Sequence, residues 1–99
     1  MRHSPEPAPN RGAAFVGRAF VRAGLGDPLG ADGDFQAAVP LCPSSAWMYY
    51  QQGRVYHQRG ETVAATHCFR LALHVDRPRL TPRQRERAEA YVRSHAAER

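Results

Sequence analysis

Residues 46–79 read AWMYYQQGRVYHQRGETVAATHCFRLALHVDRPR. Two amphipathic helices fit this stretch. The first runs from about Ala46 to Arg59 and stops at Gly60, a residue suited to a helix end. The second runs from about Thr62 to Val75. It must stop before Pro78, because the residue ahead of a proline is pushed out of helical geometry. Upstream, Pro43-Ser44-Ser45 is a break, and a serine there can cap the first of the two helices by accepting a backbone N–H. Gly53 and Ala65 are small where two packed helices approach most closely, and Tyr56 and Phe69 fill the space on either side.

The same pattern recurs upstream. Phe15 and Tyr49 are 34 residues apart, and so are Ala19 and Gly53, Gly26 and Gly60, Ala31 and Ala65, Phe35 and Phe69, Ala38 and Ala72, and Val39 and Leu73. Any helical bundle places alanines and aromatics at helical spacing. Seven matches at one offset point instead to a repeat of two helices. Within 46–79, Tyr49, Gly53, Tyr56, Gly60, Ala65, Phe69, Ala72 and Pro78 follow the order W/Y…G…Y…G…A…F…A…P. On these residues the chain resembles the tetratricopeptide-repeat (TPR) family. Trp47 stands two residues ahead of that family's usual tryptophan and is not counted as it. The first copy, 12–45, matches in its second helix through Ala31, Phe35, Ala38 and Pro43. Its first helix departs, with Arg18 and Arg22 where Gln52 and Tyr56 sit in the second copy.

The expected fold is therefore all-α, a TPR-like array of two helical hairpins plus a C-terminal capping helix. Residues 1–11, with Pro5, Pro7 and Pro9, read as a disordered or extended lead. The rest, 12–99, reads as one domain: a degenerate repeat at 12–45, a well-matched repeat at 46–79 and a capping helix at 80–97. Phe15, Val16, Ala19, Phe20 and Ala23 lie on one face of the first helix, which Gly24 and Gly26 end. Pro28 fits the first turn of the next helix, which turns Ala31, Phe35, Ala38 and Val39 inward. Gly30 and Gly33 weaken it, and Pro40, which lacks an N–H, should kink or end it. Thr81-Pro82-Arg83-Gln84 has the order of a capping box and opens the last helix.

Charge and composition narrow the function. Apolar residues make up 42% of the chain and charged residues 23%, as in ordinary globular proteins. The net charge is +5, and all 14 basic residues are arginine. They are spread over several faces, which fits an arginine-favouring coding sequence better than a phosphate-binding patch. The densest run, Arg77 to Arg93, is broken by Glu86 and Glu89 and reads as a solvated helix face. A basic nucleic-acid-binding adaptor is the first alternative reading, but nucleic acid is not the expected ligand.

Cys42 and Cys68 form no disulfide framework and no ligand spacing for a metal. His67 and Cys68 are adjacent on a helix and point too far apart to chelate one ion. No phosphate loop or catalytic motif occurs, so the reading is non-enzymatic, with no catalytic residue, cofactor or metal. No run approaches the ~18 apolar residues of a membrane span. The expected setting is soluble and cytoplasmic, with reduced thiols.

The resemblance implies a protein-interaction module whose ligand lies in a concave groove lined by the first helix of each repeat. The implied partner-binding residues are Val16 and Phe20 in the first copy and Trp47, Tyr50, Arg54, His57 and Gln58 in the second. Rigid aromatics mixed with arginine are the composition of binding hot spots. Some family members clamp the C-terminal carboxylate of heat-shock chaperones. Here Val16, Phe20 and Gln51 stand at the clamp positions, so that partner is not expected. An apolar end at Val16 and Phe20 further suggests a homodimer through residues 12–24, or a self-associating fragment of a longer repeat protein.

Overall fold

The computed structural model describes residues 8–75 and 80–95, with side chains from residue 11 onward. Residues 1–7 of the expected lead, Arg77, Pro78 and Arg79, and the end of the expected capping helix lie outside the described residues. Among the described residues the chain is all-α, with five helices and no strand. They are α1 (Ala8–Gly24), α2 (Pro28–Ala38), α3 (Ala46–Gln58), α4 (Thr62–His74) and α5 (Pro82–Ser94).

Local chemistry sets most of these bounds. The Ser45 hydroxyl accepts from the Met48 N–H at 3.0 Å and starts α3. Thr81 and Gln84 form a reciprocal capping box at the start of α5, with bonds of 3.0 and 3.1 Å. Asp27 caps α2 by accepting from the Gly30 N–H at 3.0 Å. Gly26 and Gly60 end their helices at φ +81° and +76°, a region that favours glycine. One boundary differs from expectation: α1 begins at Ala8, so 8–11 is helical rather than part of the lead. Pro9 falls in the first turn, where a backbone N–H has no acceptor within the helix.

The chain divides into two compact units, Met1–Pro43 and Ser44–Arg99. In the first, α1 packs along α2. A Cβ at Gly12 would meet the Cys42 Sγ at 2.7 Å, Arg18 bonds to Asp34, and the side chain of Arg22 lies beside Gly30. These pairings converge toward the turn, so the two helices are antiparallel. Val16, Ala19, Ala31, Phe35 and Ala38 are buried, and so is Asp34, at 3% exposure. The Arg18 guanidinium donates to both Asp34 carboxylate oxygens at 2.9–3.2 Å, and Arg22 lies 3.7 Å away. The Arg18 hydrogen bonds, aided by both positive charges, hold the Asp34 carboxyl below the ordinary carboxylate range, against the effect of its burial. Gly30, which sequence reading treats only as a weak point in α2, has a steric role. A Cβ there would run into the Asp27 carboxylate and crowd the Arg22 side chain.

In the second unit α4 packs against both α3 and α5. Tyr50, Ala65, Phe69, Ala72 and Ala88 form a buried cluster, with Tyr49, Tyr56, Leu73, Leu80, Tyr91 and Val92 packed around it. At Gly53, expected to stand opposite Ala65, the nearest neighbour is an aromatic ring. A Cβ on Gly53 would meet the Phe69 ring first, with Cε1 at 2.9 Å. Gly53 is small because an aromatic ring lies against the α3 backbone. Among the described residues no helix is long and apolar enough to cross a membrane.

Candidate functional site

Tyr50, Arg54 and His57 are spaced i, i+4 and i+7 along α3, and the helical period brings them onto one stripe. That stripe forms one wall of a cleft of about 380 Å³ in the second unit. Arg87, Ala90, Tyr91 and Ser94 of α5, with His95 at its C-cap, form the other wall, and Phe69 of α4 closes the floor.

A continuous set of ring contacts holds the walls. Tyr50 meets Phe69 edge-on at 5.5 Å between centroids, and Phe69 meets Tyr91 at 4.8 Å. Tyr91 then packs edge-on against His57 at 5.2 Å and stacks on His95 at 4.1 Å. Hydrogen bonds fix the two histidines. His57 Nδ1 and the Tyr91 hydroxyl are 3.2 Å apart. His95 Nδ1 lies 2.9 Å from the Tyr91 backbone carbonyl. A carbonyl only accepts, so His95 donates through Nδ1. Arg54 donates to the Gln51 side-chain oxygen at 3.1 Å.

The electrostatic character of the cleft is one-sided. Two arginines and two histidines line it, and none of the described residues that line it is acidic. The acidic residues of α5, Glu86 and Glu89, line a separate shallow hollow with Leu80, Arg83 and Arg85. Tyr50 adds a polar group at depth. Its side chain is 2% exposed, and its hydroxyl makes no hydrogen bond among the described residues.

The sequence-predicted site residues are placed unequally. Tyr50, Arg54 and His57 come together in the cleft. Trp47 is half-buried and Gln58 exposed on the same helix, and neither lines it. In the first unit Phe20 is half-buried, whereas Val16 is fully buried and presents no surface to a partner. Among the described residues, the large apolar side chains exposed in that unit are instead Val21, Leu25 and Leu29, at 60–83% exposure. Sequence reasoning missed Phe69, Arg87, Tyr91 and His95 as site residues. A signal for Tyr91 was present, since it lies 34 residues after His57, which it touches.

Other chemistry is sparse. Among the described residues no group of three His, Cys, Asp or Glu side chains could hold a metal ion. Burial pushes the Cys68 thiol up to about 12, which leaves almost no thiolate at neutral pH. The Cys42 thiol is also raised by burial, and it donates to the Ala38 carbonyl at 3.2 Å.

No protein family, curated protein or solved structure matches the chain.

Proposed function

We propose that this chain is a TPR-like interaction module that binds a segment of another protein in the cleft between α3 and α5. The observation that carries the reading is the contact between His57 and Tyr91, 34 residues apart. This is the offset that relates the two sequence copies. It gives α5 the role of a third repeat's first helix, with its side chains set against those of α3. In such an arrangement the first helices face the ligand. Tyr50, Arg54, His57, Arg87 and Tyr91 then offer aromatic and arginine side chains at one concave place. The deep burial of Cys68 and its raised thiol also fit a binding protein better than an enzyme. With no membrane-crossing helix among the described residues, a soluble, cytoplasmic setting is the proposed one.

The test is capture of cellular partners by the intact chain, compared with the double variant Tyr50→Phe/Arg54→Gln. Tyr50 belongs to the buried cluster, so phenylalanine is the useful replacement: it removes the hydroxyl and keeps the packing. A partner whose recovery drops at least about tenfold, with helicity unchanged, supports the reading. Equal recovery by both proteins defeats it. If the captured material is nucleic acid, and its binding falls steeply with salt, the basic-adaptor reading takes over.

A second reading has its own observation. Val21, Leu25 and Leu29 cluster around the α1–α2 turn and are exposed. A homodimer through this end of α1 is accordingly proposed, with Val21 and Leu25 in place of the buried Val16. Light scattering over a concentration series checks it. Val21→Glu/Leu25→Glu should shift a dimer to monomer, and a parent that stays monomeric at every concentration excludes it.

A further inference from the structure

We infer that α1 carries a symmetric interface in which two copies of the helix pack antiparallel, the small side chains of one opposite the large side chains of the other. This rests on the self-association reading above and adds to it the surface used and its orientation. Three features of the first unit carry it.

The first is a stripe. Ala14, Gly17, Val21 and Leu25 recur at steps of three and four, so they share one side of α1 and of the turn that ends it. All four are exposed, Val21 at 60% and Leu25 at 78%. Val16 and Ala19, on the opposite side of the helix, are fully buried.

The second is the order of sizes along the stripe. The small residues lie toward the start of α1 and the large ones toward its end. A two-fold axis level with Ala19 and Phe20 sets Ala14 against the partner's Leu25 and Gly17 against the partner's Val21. An isologous contact repeats both pairs, so every layer joins a small group to a large one. A parallel pair would stack Leu25 on Leu25 and leave a gap between the two glycines. Gly17 has no steric reason to be small within its own chain, where a Cβ would meet nothing within 4 Å. Glycine inside a helix is destabilising relative to alanine, and a close neighbour on this side gives it a use.

The third is charge. The same axis sets Arg11, exposed near the start of α1, level with the partner's Asp27, exposed just past the helix end. The Asp27 N–H donates to the Arg22 carbonyl at 2.8 Å, which holds Asp27 beside the edge of α1 that carries Arg11, Arg18 and Arg22. A two-fold rotation keeps that edge on one side of the pair, so opposite charges meet at both ends. Arg18, close to the axis, has its charge engaged by Asp34 of its own copy.

The test uses the full chain, with light scattering for the dissociation constant and disulfide trapping for the orientation. Gly17→Leu should raise the dissociation constant of the dimer at least tenfold, roughly the effect of overpacking a close contact. It should do so although the larger side chain has room in the single chain and favours a helix. Asp27→Asn keeps an oxygen to cap α2 and removes the charge. It should weaken the dimer about threefold in the parent and not at all in an Arg11→Gln background. Single cysteines are placed in a Cys42→Ala parent, with the buried Cys68 left as it is. A mixture of Gly17→Cys and Val21→Cys chains should form the mixed disulfide ahead of either symmetric one.

Symmetric disulfides that form first, in a chain that is dimeric, overturn the antiparallel arrangement and leave self-association standing. A dimer indifferent to Gly17→Leu overturns it likewise, as does an Asp27→Asn effect that is the same with and without Arg11. A parent that stays monomeric at every concentration removes the self-association reading itself, and this inference with it.

Discussion

The two units use one sequence pattern and build different interiors from it. In the first, α1 and α2 are joined by charge: Asp34 is buried on α2, and Arg18 reaches it from a half-exposed position on α1. In the second, the residue 34 positions after Asp34 is Cys68, buried without a charge partner, and the one 34 after Arg18 is Gln52. There the fit between α3 and α4 comes from Gly53 lying against the Phe69 ring. At the position matching Gly53, the first unit carries Ala19, fully buried with its Cβ accommodated. A repeat register thus specifies where small and apolar groups stand. It leaves open whether an ion pair or an aromatic ring joins the helices.

The comparison breaks most readily at the ring. Phe69→Ala should destabilise the second unit by about 3–5 kcal/mol, the cost of a cavity left by a buried aromatic. It also removes the floor of the cleft, so urea melts and peptide titrations should fail together. A folded variant with unchanged binding would detach the floor from the site.

A smaller effect is expected at the position that separates the units. Gly53→Ala adds a methyl group at 2.9 Å from the Phe69 ring, inside the distance that carbon atoms tolerate. It should cost about 1–2 kcal/mol even after alanine's helix preference is counted. Ala19→Gly, the reverse change in the first unit, should cost only about 1 kcal/mol, mostly in backbone entropy. If thermal melts show Gly53→Ala to be stabilising, the ring yields more easily than its packing indicates.

The smallest effect concerns the charged hairpin and is read by acid titration. The Asp34 carboxyl is held below its ordinary range by the Arg18 hydrogen bonds, so its contribution is fully present above the unfolded aspartate value of ~3.9. It is lost as the pH falls through the lowered native value. Asp34→Asn should remove this acid-side dependence from the first unit and leave that of the second unchanged. Arg18 is more than half exposed, so solvent screens the pair and the change in melting temperature should be modest.

The helices were legible wherever a local rule decided them. The Ser45 cap, the Thr81–Gln84 box and the left-handed Gly60 each depend on residues within one turn, and the sequence shows such signals directly. The start of α1 was not legible, because proline tolerates a first turn as readily as an extended chain. The sequence does not mark Asp34, because its neighbours Ala31, Phe35 and Ala38 read as an apolar face, and only contact with α1 shows how a charge is kept there. Half of the cleft was legible, the stripe on α3. The other wall was hidden because α5 reads as a cap that protects a core. Tyr91 does pack onto that core through Phe69, but it also meets His57 and His95 at the cleft surface.

That double placement of Tyr91 ties recognition to local unfolding. α5 packs on α4 more sparingly than α3 does, and it brings Arg87, Tyr91 and His95 to the cleft as one piece. An excursion that lifts α5 alone dismantles the site while the α3–α4 hairpin stays closed. An occupant that bridged the two walls would oppose such excursions, and hydrogen exchange would then slow in α5 more than in α3. In this molecule the last helix both covers part of the interior and forms one wall of the cleft, so a loss of α5 packing removes both at once.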